Sequence, residues 1–291
     1  AIYDGVSLPR LFDQVQRAYQ NERLPLNKFT PFIRSLILQN PKDVEEFWRT
    51  EFHGLQTSVF PGLPEPGFVP NPTASVEKEI RFPRPPHLPR FTLSTVMRLA
   101  WALLVSYYTD SEDVVFGVTV SGRARSVPGI NLLTGPSMAT VPFRTRICRD
   151  SLLLDALRDV QDHSMRMIPF EQAGLQRIRE LSDETSVACG FQSQLVIQHG
   201  EHSQASPNMM ILRDQFADHA AFLNYALVIL CTPSTAHQTV RVNVQFDPQI
   251  VLPAVADRLL SQFAHIVDQM CAPSSYNARL GGLETITPQD W

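Results

Sequence analysis

The chain has 291 residues, of which 44% are hydrophobic and 19% are charged. That length suits one large domain or two small ones, and the apolar fraction supplies a core, which excludes a disordered tail or a fibre. The formal net charge of -4 argues against a dedicated nucleic-acid binder, which would carry a basic excess. No apolar run is long enough to span a bilayer, and the first residues lack the basic and then apolar order of a signal peptide.

The cysteine pattern points to free thiols. The four cysteines are about forty residues apart and none belongs to a CxxC pair, so neither a zinc site nor a disulfide framework is indicated. Free thiols are typical of a reducing compartment, which predicts a cytoplasmic protein. The residues concerned are Cys148, Cys189, Cys231 and Cys271.

Three helices are predicted before the first proline-rich loop. Ser7 is the predicted N-cap of the first helix, Pro9 suits its first turn, and apolar residues recur at steps of three and four over residues 8–19. Similar spacing over residues 29–37 predicts a second helix, and Pro41 opens a third. The side chains expected to face inward are Leu8, Leu11, Phe12, Val15, Ala18, Tyr19, Phe29, Phe32, Ile33, Leu36, Ile37, Val44, Phe47, Trp48 and Phe52.

The middle of the chain alternates loops with strongly patterned segments. Prolines between residues 54 and 72 predict a loop, because proline fixes φ and removes an amide donor. Alternation predicts a strand over residues 76–82, and a second proline cluster follows it. Thr92 or Ser94 then caps a helix through residue 108, and the nearly continuous apolar run Asp113–Val120 predicts a buried strand.

The second half of the chain adds both kinds of element. A helix is predicted to begin at Ser151, strands to cover residues 191–198, 222–231 and 239–246, and an amphipathic helix to cover residues 250–270. Strands and helices are interspersed without regular alternation. The sequence therefore predicts a mixed α/β layered sandwich instead of a doubly wound parallel sheet.

Common catalytic and metal-binding motifs are absent from the sequence. It contains no GxGxxG or GxxxxGK[ST] phosphate loop and no GxSxG nucleophile elbow, which counts against a nucleotide site and a serine hydrolase. His199 and His202 lack the HExxH spacing of a zinc site on a helix, so a solvated loop is the favoured interpretation. A solvated helix face is likewise favoured for Asp155, Asp159 and Asp162.

Several short segments become specific when their order and spacing are taken together. The chain begins AIYDG, continues with VTVSGR at residues 118–123, GPSMATVPFR at 135–144 and IPFE at 168–171, and ends with ETITPQDW. Together they resemble the condensation domain of nonribosomal peptide synthetases, and those of filamentous fungi most. AIYDG resembles the end of the diagnostic HHxxxDG signature, residues 135–144 resemble GxxVNTxxxR, and IPFE resembles the end of HQDYPFE; residues 91–122 resemble the helix–strand unit that precedes GR in fungal members.

The resemblance implies an architecture of two similar lobes. The family's lobes are related to chloramphenicol acetyltransferase and form a V with a tunnel between them. The expected fold class is α/β, a mixed-sheet two-layer sandwich. Residues 1–22 would be the end of the N-terminal lobe, residues 23–280 the C-terminal lobe, and residues 281–291 a linker toward an adenylation domain. Residues 199–222 would form or flank the crossover to the first lobe.

The resemblance also implies a reaction and its partners. A condensation domain forms an amide between a carrier-bound donor thioester and the amine of a carrier-bound acceptor thioester. The substrates arrive on phosphopantetheine arms of the upstream and downstream carrier domains, no cofactor is bound by the domain itself, and neither nucleic acid nor a membrane is a partner. An α-amino group has a pKa of roughly 7.7–8.0 and must lose a proton, which an imidazole can accept. In the family the second histidine of the signature is the candidate base or positioning group.

The site residues implied by the resemblance are structural or lining residues. Asp4 is expected to pair with an arginine, for which Arg123 and Arg144 are the candidates, and Gly5 is expected to permit a tight or positive-φ turn. No metal ligand is expected. The residues expected to line the tunnel are Gly122, Arg123, Gly135, Ser137, Ala139, Thr140, Arg144, Pro169, Phe170 and Glu171.

The sequence departs from the family pattern at three places. The two signature histidines would precede Ala1 and are not in this sequence, which predicts a fragment of an acyltransferase that is inactive alone. Because position 1 is not Met, we also expect that the fragment was cut from a longer chain. Ala139 stands where the family usually has Asn, which removes a polar contact expected near the reaction centre. Gly190 stands where fungal members often have Asp.

Other functions stay open on the sequence. A non-catalytic lobe that only receives carrier domains is compatible with the missing histidines, and the codons upstream of Ala1 would distinguish it from an enzyme. A cyclising terminal variant of the family is a further alternative. Such variants tend to carry SHxxxDY, so Gly5 and the apparent linker after residue 280 favour ordinary chain elongation.

Overall fold

The protein is built around one six-stranded mixed sheet. The computed structural model describes residues 3–24, 27–82, 91–198, 224–234 and 237–287. The strand order is β1-β6-β5-β4-β2-β3, with β2, β4 and β5 parallel and the remaining pairs antiparallel. The strands are β1 Ala74–Arg81, β2 Asp113–Val120, β3 Ala139–Arg146, β4 Ser193–Ile197, β5 Leu227–Ser234 and β6 Thr239–Phe246.

Helices cover one face of this sheet and line its β3 edge. The long helices α4 and α8 pack on each other and on β2 and β1 respectively, and α5 packs on α4. Together with the sheet they form the layered mixed α/β fold that the sequence predicted. The helices are α1 Ser7–Tyr19, α2 Thr30–Ile37, α3 Pro41–Phe52, α4 Leu93–Thr109, α5 Leu153–Met167, α6 Leu175–Arg179, α7 Asp183–Ala188 and α8 Pro253–Cys271.

Alternation along the strands separates an apolar face from a more polar one. Phe116 of β2 lies opposite Phe143 of β3, and both are fully buried beneath the helices. On the other face Gln194 of β4 donates to the hydroxyls of Thr119 and Thr140 at 2.9 and 3.1 Å. β2 is buried along most of its length because strands flank it on both sides, as its continuous apolar run predicted.

Local capping explains two of the helix starts. The Thr92 hydroxyl accepts from the Thr95 amide at 3.2 Å, so Thr92, and not Ser94, is the N-cap of α4. Asn40 caps α3 in the same way, and Pro41 begins that helix as predicted. The prediction that Ser7 caps α1 is wrong. Ser7 is the first residue of α1, and its amide is instead satisfied by the carboxylate of Asp4 at 2.7 Å.

Some predicted boundaries and faces differ from the structure. The predicted strand ended at residue 231, where the apolar composition ends. In the structure β5 continues to Ser234, because it pairs with β6 as far as Thr239, the residue opposite Ser234. In α2 Phe32 is buried and Leu36 packs on the same small cluster, as predicted, whereas Ile33 and Ile37 are 40% and 76% exposed, so their assignment to the inward face is wrong. The predicted crossover and the histidines at 199 and 202 lie outside the described residues.

The residues after Gly281 pack on the rest of the fold as far as they are described. The Gly281 amide donates to the Arg149 carbonyl at 2.8 Å, and Leu283 is buried. Their role as a linker to another domain stays a prediction, as do the domain boundaries as a whole.

The first helix leaves the C-terminal part of its apolar stripe open to solvent. Ser7 is the only buried residue of α1, and Val15 and Tyr19 are 44% and 73% exposed. An amphipathic helix normally buries its apolar stripe, so this face is a surface that favours association.

Replacing Val15 and Tyr19 together by Ser should lower self-association and apolar-dye binding. Because both side chains are exposed, the free energy of unfolding should change by no more than about 0.5 kcal/mol. Sedimentation velocity and dye fluorescence of the purified chain measure both effects. Leu252→Ser, which removes a single exposed apolar side chain, is the control and should leave association unchanged. A monomeric wild-type chain that binds no dye would contradict the prediction.

Candidate active site

Asp4 lies at the centre of a buried hydrogen-bond network at the end of the sheet where β2 stops and β3 starts. Its Oδ1 accepts the amides of Val6 and Ser7 at 3.1 and 2.7 Å, and its Oδ2 accepts the Ser137 amide at 2.9 Å. The Ser7 hydroxyl accepts from the Asp4 amide at 2.7 Å. The carboxylate therefore joins the start of α1 to the loop that precedes β3.

Arg123 is the arginine that pairs with Asp4. Its Nη2 lies 3.2 and 3.3 Å from the two carboxylate oxygens, and both side chains are more than nine-tenths buried. The same guanidinium donates to the carbonyls of Ile130, Leu133 and Gly135 at 3.0 to 3.2 Å. Arg123 thereby closes the β2–β3 loop around the aspartate, and these bonds offset part of the cost of burying the charges.

Arg144, the other candidate partner, belongs to a separate cluster. It forms an ion pair with Asp113 at 2.6 Å and donates to the carbonyls of Glu51 and His53 at the end of α3. Its position near the carboxyl end of β3 keeps it at the opposite end of the strand from Ser137. The structure therefore does not bring Arg144 together with Asp4.

Two glycines allow the backbone to close tightly around this network. Gly122 has φ +67°, and a Cβ there would lie 1.9 Å from the Ser137 carbonyl oxygen and 2.6 Å from Nε2 of Gln172. A Cβ on Gly135 would lie 2.7 Å from the ring of Phe29. Gly5 lies in the tight turn before α1, as one of the two expectations had it, but its φ is not in the positive region and a Cβ would meet nothing within 4 Å, so the positive-φ alternative is wrong.

Gly122→Ala should destabilise the protein by about 2–4 kcal/mol, since it adds backbone strain to a clash with a carbonyl oxygen. Gly129→Ala is the matched control, because Gly129 also has positive φ but open space around its Cα. It should cost about 1 kcal/mol through backbone strain alone. Urea denaturation of the three proteins measures the difference, and equal losses for both variants would refute the packing argument.

The environment of Asp4 favours its ionised form. Burial by itself raises the pKa of this carboxyl. The hydrogen bonds from the Ser137 and Ser7 amides, the Ser7 hydroxyl and the charge of Arg123 outweigh burial and hold the pKa below its ordinary value of 3.8. Asp4 is therefore an anion at neutral pH.

Asp4→Asn should lower the free energy of unfolding by about 3–5 kcal/mol at pH 7, because it leaves Arg123 buried without its counter-charge. Since the folded pKa lies below the unfolded value, the ionised carboxylate stabilises the fold above pH 3.8, and this contribution is lost as pH falls through the folded pKa. Urea titrations at pH 7 and pH 3 measure both values.

Asp13→Asn, on the exposed side of α1, is the matched control and should change stability by less than about 0.5 kcal/mol. A loss for Asp4→Asn that is as large at pH 3 as at pH 7 would show that its charge is not what stabilises the fold.

The α5–α6 loop supports the same network from the other side. Gln172 donates from Nε2 to the Ser137 carbonyl at 2.7 Å, so Ser137 is held by Gln172 through its carbonyl and by Asp4 through its amide. The Pro169 carbonyl accepts from Arg125 at 2.6 Å, and the Phe170 carbonyl accepts from the Trp48 indole at 3.3 Å. This loop contains the predicted site residues 169–171.

Glu171 is buried in this loop without a hydrogen-bond partner for its Oε1 among the described residues. It is 3% exposed. Burial raises the pKa of Glu171 to about 7, and the charges of Arg125 and Arg98 oppose that rise only in part. Ionising this carboxyl therefore costs folding stability as pH rises from the ordinary value of 4.5 toward neutrality.

Ala139 and Thr140, the other predicted lining residues, begin β3. Ala139 lies opposite Val120, the last residue of β2, and has no polar group to offer. Thr140 accepts from Gln194, whose own Oε1 is buried and has no partner in the described part of the chain. The predicted lining residues thus gather at one end of the sheet, with Arg144 as the exception.

Several important residues carried no signal in the sequence. Gln172, Gln194 and Arg98 belong to no motif, and only the close packing of distant segments reveals their roles. Ser7 was noticed for the wrong reason, as a cap. The arginine that pairs with Asp4 could be narrowed to two candidates from the sequence. Only the structure shows that it is Arg123, which lies 119 positions away along the chain.

Other kinds of site are not supported by the described residues. Their His, Cys, Asp and Glu side chains form no group of three that could hold a metal, and none of their helices is long and apolar enough to cross a membrane. All four cysteines are free, as predicted. Burial raises the pKa of Cys189, Cys231 and Cys271 to about 12, which keeps these thiols protonated and unsuited to nucleophilic attack.

A separate open groove of about 590 Å³ lies between α3 and α5 along β3. His163 and Glu51 line it, with Nε2 and Oε1 3.0 Å apart, and the imidazole stacks on Phe143 at 4.5 Å. Despite this short distance, His163 Nε2 forms no hydrogen bond within the described residues. Arg144 lines this groove and not the Asp4 network.

Comparison with known proteins identifies the family. The sequence profile described as "Condensation domain" matches residues 1–280. The chain is 36% identical over 288 residues to the nonribosomal peptide synthetase fmqA of Aspergillus fumigatus, which covers 99% of this chain and 7% of the synthetase. It is 38% identical over 296 residues to the synthetase lenA of Aspergillus lentulus, covering 98% of this chain and 6% of that protein. The chain thus spans a small fraction of the length of these relatives.

Solved structures agree on the fold. A structure titled "The crystal structure of CT" has a TM-score of 0.74 at 22% identity and covers 97% of this chain and 63% of that one. The first condensation domain of the CDA synthetase has a TM-score of 0.66 at 15% identity, covering 98% of this chain and 64% of that one. The protein belongs to the condensation-domain family of nonribosomal peptide synthetases.

Proposed function

We propose that this chain is the larger part of a condensation domain that forms an amide bond. The acceptor amine attacks the donor thioester carbonyl, the new C–N bond forms, the C–S bond breaks, and the donor carrier leaves with its pantetheine thiol. Both substrates arrive on phosphopantetheine arms of neighbouring carrier domains. Free thiols and the family context support a cytoplasmic location.

One observation carries this proposal: segments that resemble separate family motifs meet in space. Asp4 of the signature contacts Arg123, which follows β2, and Ser137, which precedes β3. Gln172, just after the IPFE segment, contacts Ser137. Residues this far apart in sequence have no reason to share one buried network unless the loop that Asp4 belongs to must be held in place.

In this proposal the residues of the chain orient the reaction and do not perform its proton transfer. The sequence contains no pair of adjacent histidines, so in this proposal none of the 291 residues is the signature imidazole that receives the amine proton. Asp4 and Arg123 hold the loop that would bear it. Since a thioester is already reactive, alignment of the two arms supplies much of the rate enhancement.

The proposed partners follow from the same reasoning. An upstream and a downstream carrier domain would deliver the two arms, an N-terminal lobe would pack on the apolar stripe of α1, and an adenylation domain would follow the C-terminal segment. The exposure of Val15 and Tyr19 supports a missing neighbour at α1.

The 291-residue polypeptide should form no dipeptidyl carrier above the rate without protein when it is mixed with two aminoacyl-loaded carriers. A longer polypeptide that also carries the histidine pair of the signature should form it, because an imidazole can accept the amine proton. Mass spectrometry of the acceptor carrier measures the product. Replacing the restored second histidine by Ala should reduce the rate by roughly 10²–10⁴.

Two outcomes would overturn the assignment. Product from the 291-residue polypeptide alone would show that its own residues suffice. An extended polypeptide that binds both carriers yet forms no amide would identify a scaffold lobe instead of an enzyme.

A further inference from the structure

Glu171 is the buried ionisable group that the proposed function leaves without a role. Its Oε1 has no hydrogen-bond partner, and the Nε of Arg98 is a buried donor that also lacks one in the described residues. Arg98 donates to the Ser164 hydroxyl at 2.6 Å and lies over the Phe143 ring at 4.8 Å. A buried acceptor and a buried donor are thus left unsatisfied in neighbouring segments, which is costly for a fold that gains nothing from it.

Two cations on different elements act on this carboxyl by charge. Arg98 projects from α4, and Arg125 projects from the β2–β3 loop, where it donates to the Pro169 carbonyl at 2.6 Å. Both act on Glu171 by charge, although neither forms an ion pair with it in the described residues. An ionised Glu171 is drawn toward both arginines, whereas a neutral Glu171 is not. The charge on this one side chain therefore decides how firmly the α5–α6 loop is held.

The loop transmits this effect directly to the signature aspartate. Gln172, the next residue, holds the Ser137 carbonyl at 2.7 Å, and the Ser137 amide donates to Asp4 at 2.9 Å. Nε2 of Gln172 also lies close to Gly122, since a Cβ there would be 2.6 Å from it. We therefore expect a shift of the loop to appear at Ser137.

We propose that Glu171 is a positioning residue, which holds the α5–α6 loop between Arg98 and Arg125 and through Gln172 and Ser137 sets the position of Asp4. The relevance of this role to amide formation rests on the proposed function. The link from Glu171 to Asp4 does not rest on it, because the contacts that form the link lie within this chain.

The charge of Glu171 changes in the neutral pH range. Burial raises the pKa of Glu171 to about 7, so its charge changes between pH 6 and pH 8 on the basis of that value. Burial likewise lowers the pKa of Arg98, to about 10, which leaves the guanidinium charged throughout this range. Glu171 is then the group of the cluster that titrates.

The test follows the Ser137 amide of the 291-residue chain by ¹⁵N NMR from pH 5.5 to 8.5. The resonance should titrate with a midpoint near 7. Glu171→Gln should abolish the titration, and Glu180→Gln, the same substitution at an exposed position nearby, should leave it unchanged. A Ser137 resonance that does not titrate, or one that still titrates in folded Glu171→Gln, overturns the proposal.

A second variant decides the matter if Glu171→Gln does not fold. Arg98→Gln removes one cation that stabilises the ionised carboxyl, so the Ser137 midpoint should move to higher pH. A midpoint that stays unchanged in this variant overturns the proposal.

Activity of the parent synthetase with loaded carriers gives an independent readout. The ratio of wild-type to Glu171→Gln rates of amide formation should rise on the order of tenfold between pH 6 and pH 8, within the usual range of coupling between two sites. Glu180→Gln should show no such rise. A constant ratio for Glu171→Gln overturns the role in catalysis. If wild-type synthetase forms no amide, the proposed function fails, and the Ser137 titration still decides the present inference.

Discussion

The buried ion pair between Asp4 and Arg123 is the contact on which the arrangement of this end of the sheet depends. A carboxylate and a guanidinium out of water cost several kcal/mol each unless their remaining groups are satisfied. Here the carboxylate accepts three backbone amides and the guanidinium donates to three carbonyls. Because so many backbone groups belong to different segments, the pair fixes α1, the β2–β3 loop and the start of β3 relative to one another. A hydrophobic contact at the same place would not impose this geometry.

The sheet topology places this network where binding sites usually form. β2 and β4 are parallel, and ligands of α/β proteins tend to bind beyond the carboxyl ends of such strands, where the connecting loops diverge. The β2–β3 loop leaves the sheet at that end, where β4 also ends. Arg144 lies toward the other end of β3, where it stabilises the end of α3. The two ends of the sheet thus hold separate ion pairs, Asp4 with Arg123 at one and Asp113 with Arg144 at the other.

Much of the fold was readable from the sequence because its strongest elements have unambiguous local patterns. The run Asp113–Val120 is apolar on both faces, and the Asn40–Pro41 pair marks a helix start, so both elements are predicted correctly. Ile33 and Ile37 of α2 were wrongly assigned to the inward face, because the cluster that this helix joins with Ile130 is small, and its size is not readable from a local period. The end of β5 was set by pairing with β6. Ser7 was misassigned because the capping group is a carboxylate three residues upstream, and only its distance to the Ser7 amide distinguishes the two explanations.

The two buried carboxylates near the site have opposite environments, and this contrast separates their tasks. Asp4 receives hydrogen bonds from backbone amides that the fold holds in place. These bonds lower its pKa, and the carboxylate is therefore charged at neutral pH. Burial prevails at Glu171 and raises its pKa, because the charges of Arg125 and Arg98 oppose burial only in part and no described residue donates to its Oε1. A permanent charge suits a structural anchor, while a titrating charge suits an adjustable support. Ser137 connects them, since its amide contacts the anchor and its carbonyl contacts the residue that follows Glu171. The position of one serine therefore reflects both groups, and a sequence pattern that assigns each motif separately cannot reveal that they act on the same peptide unit.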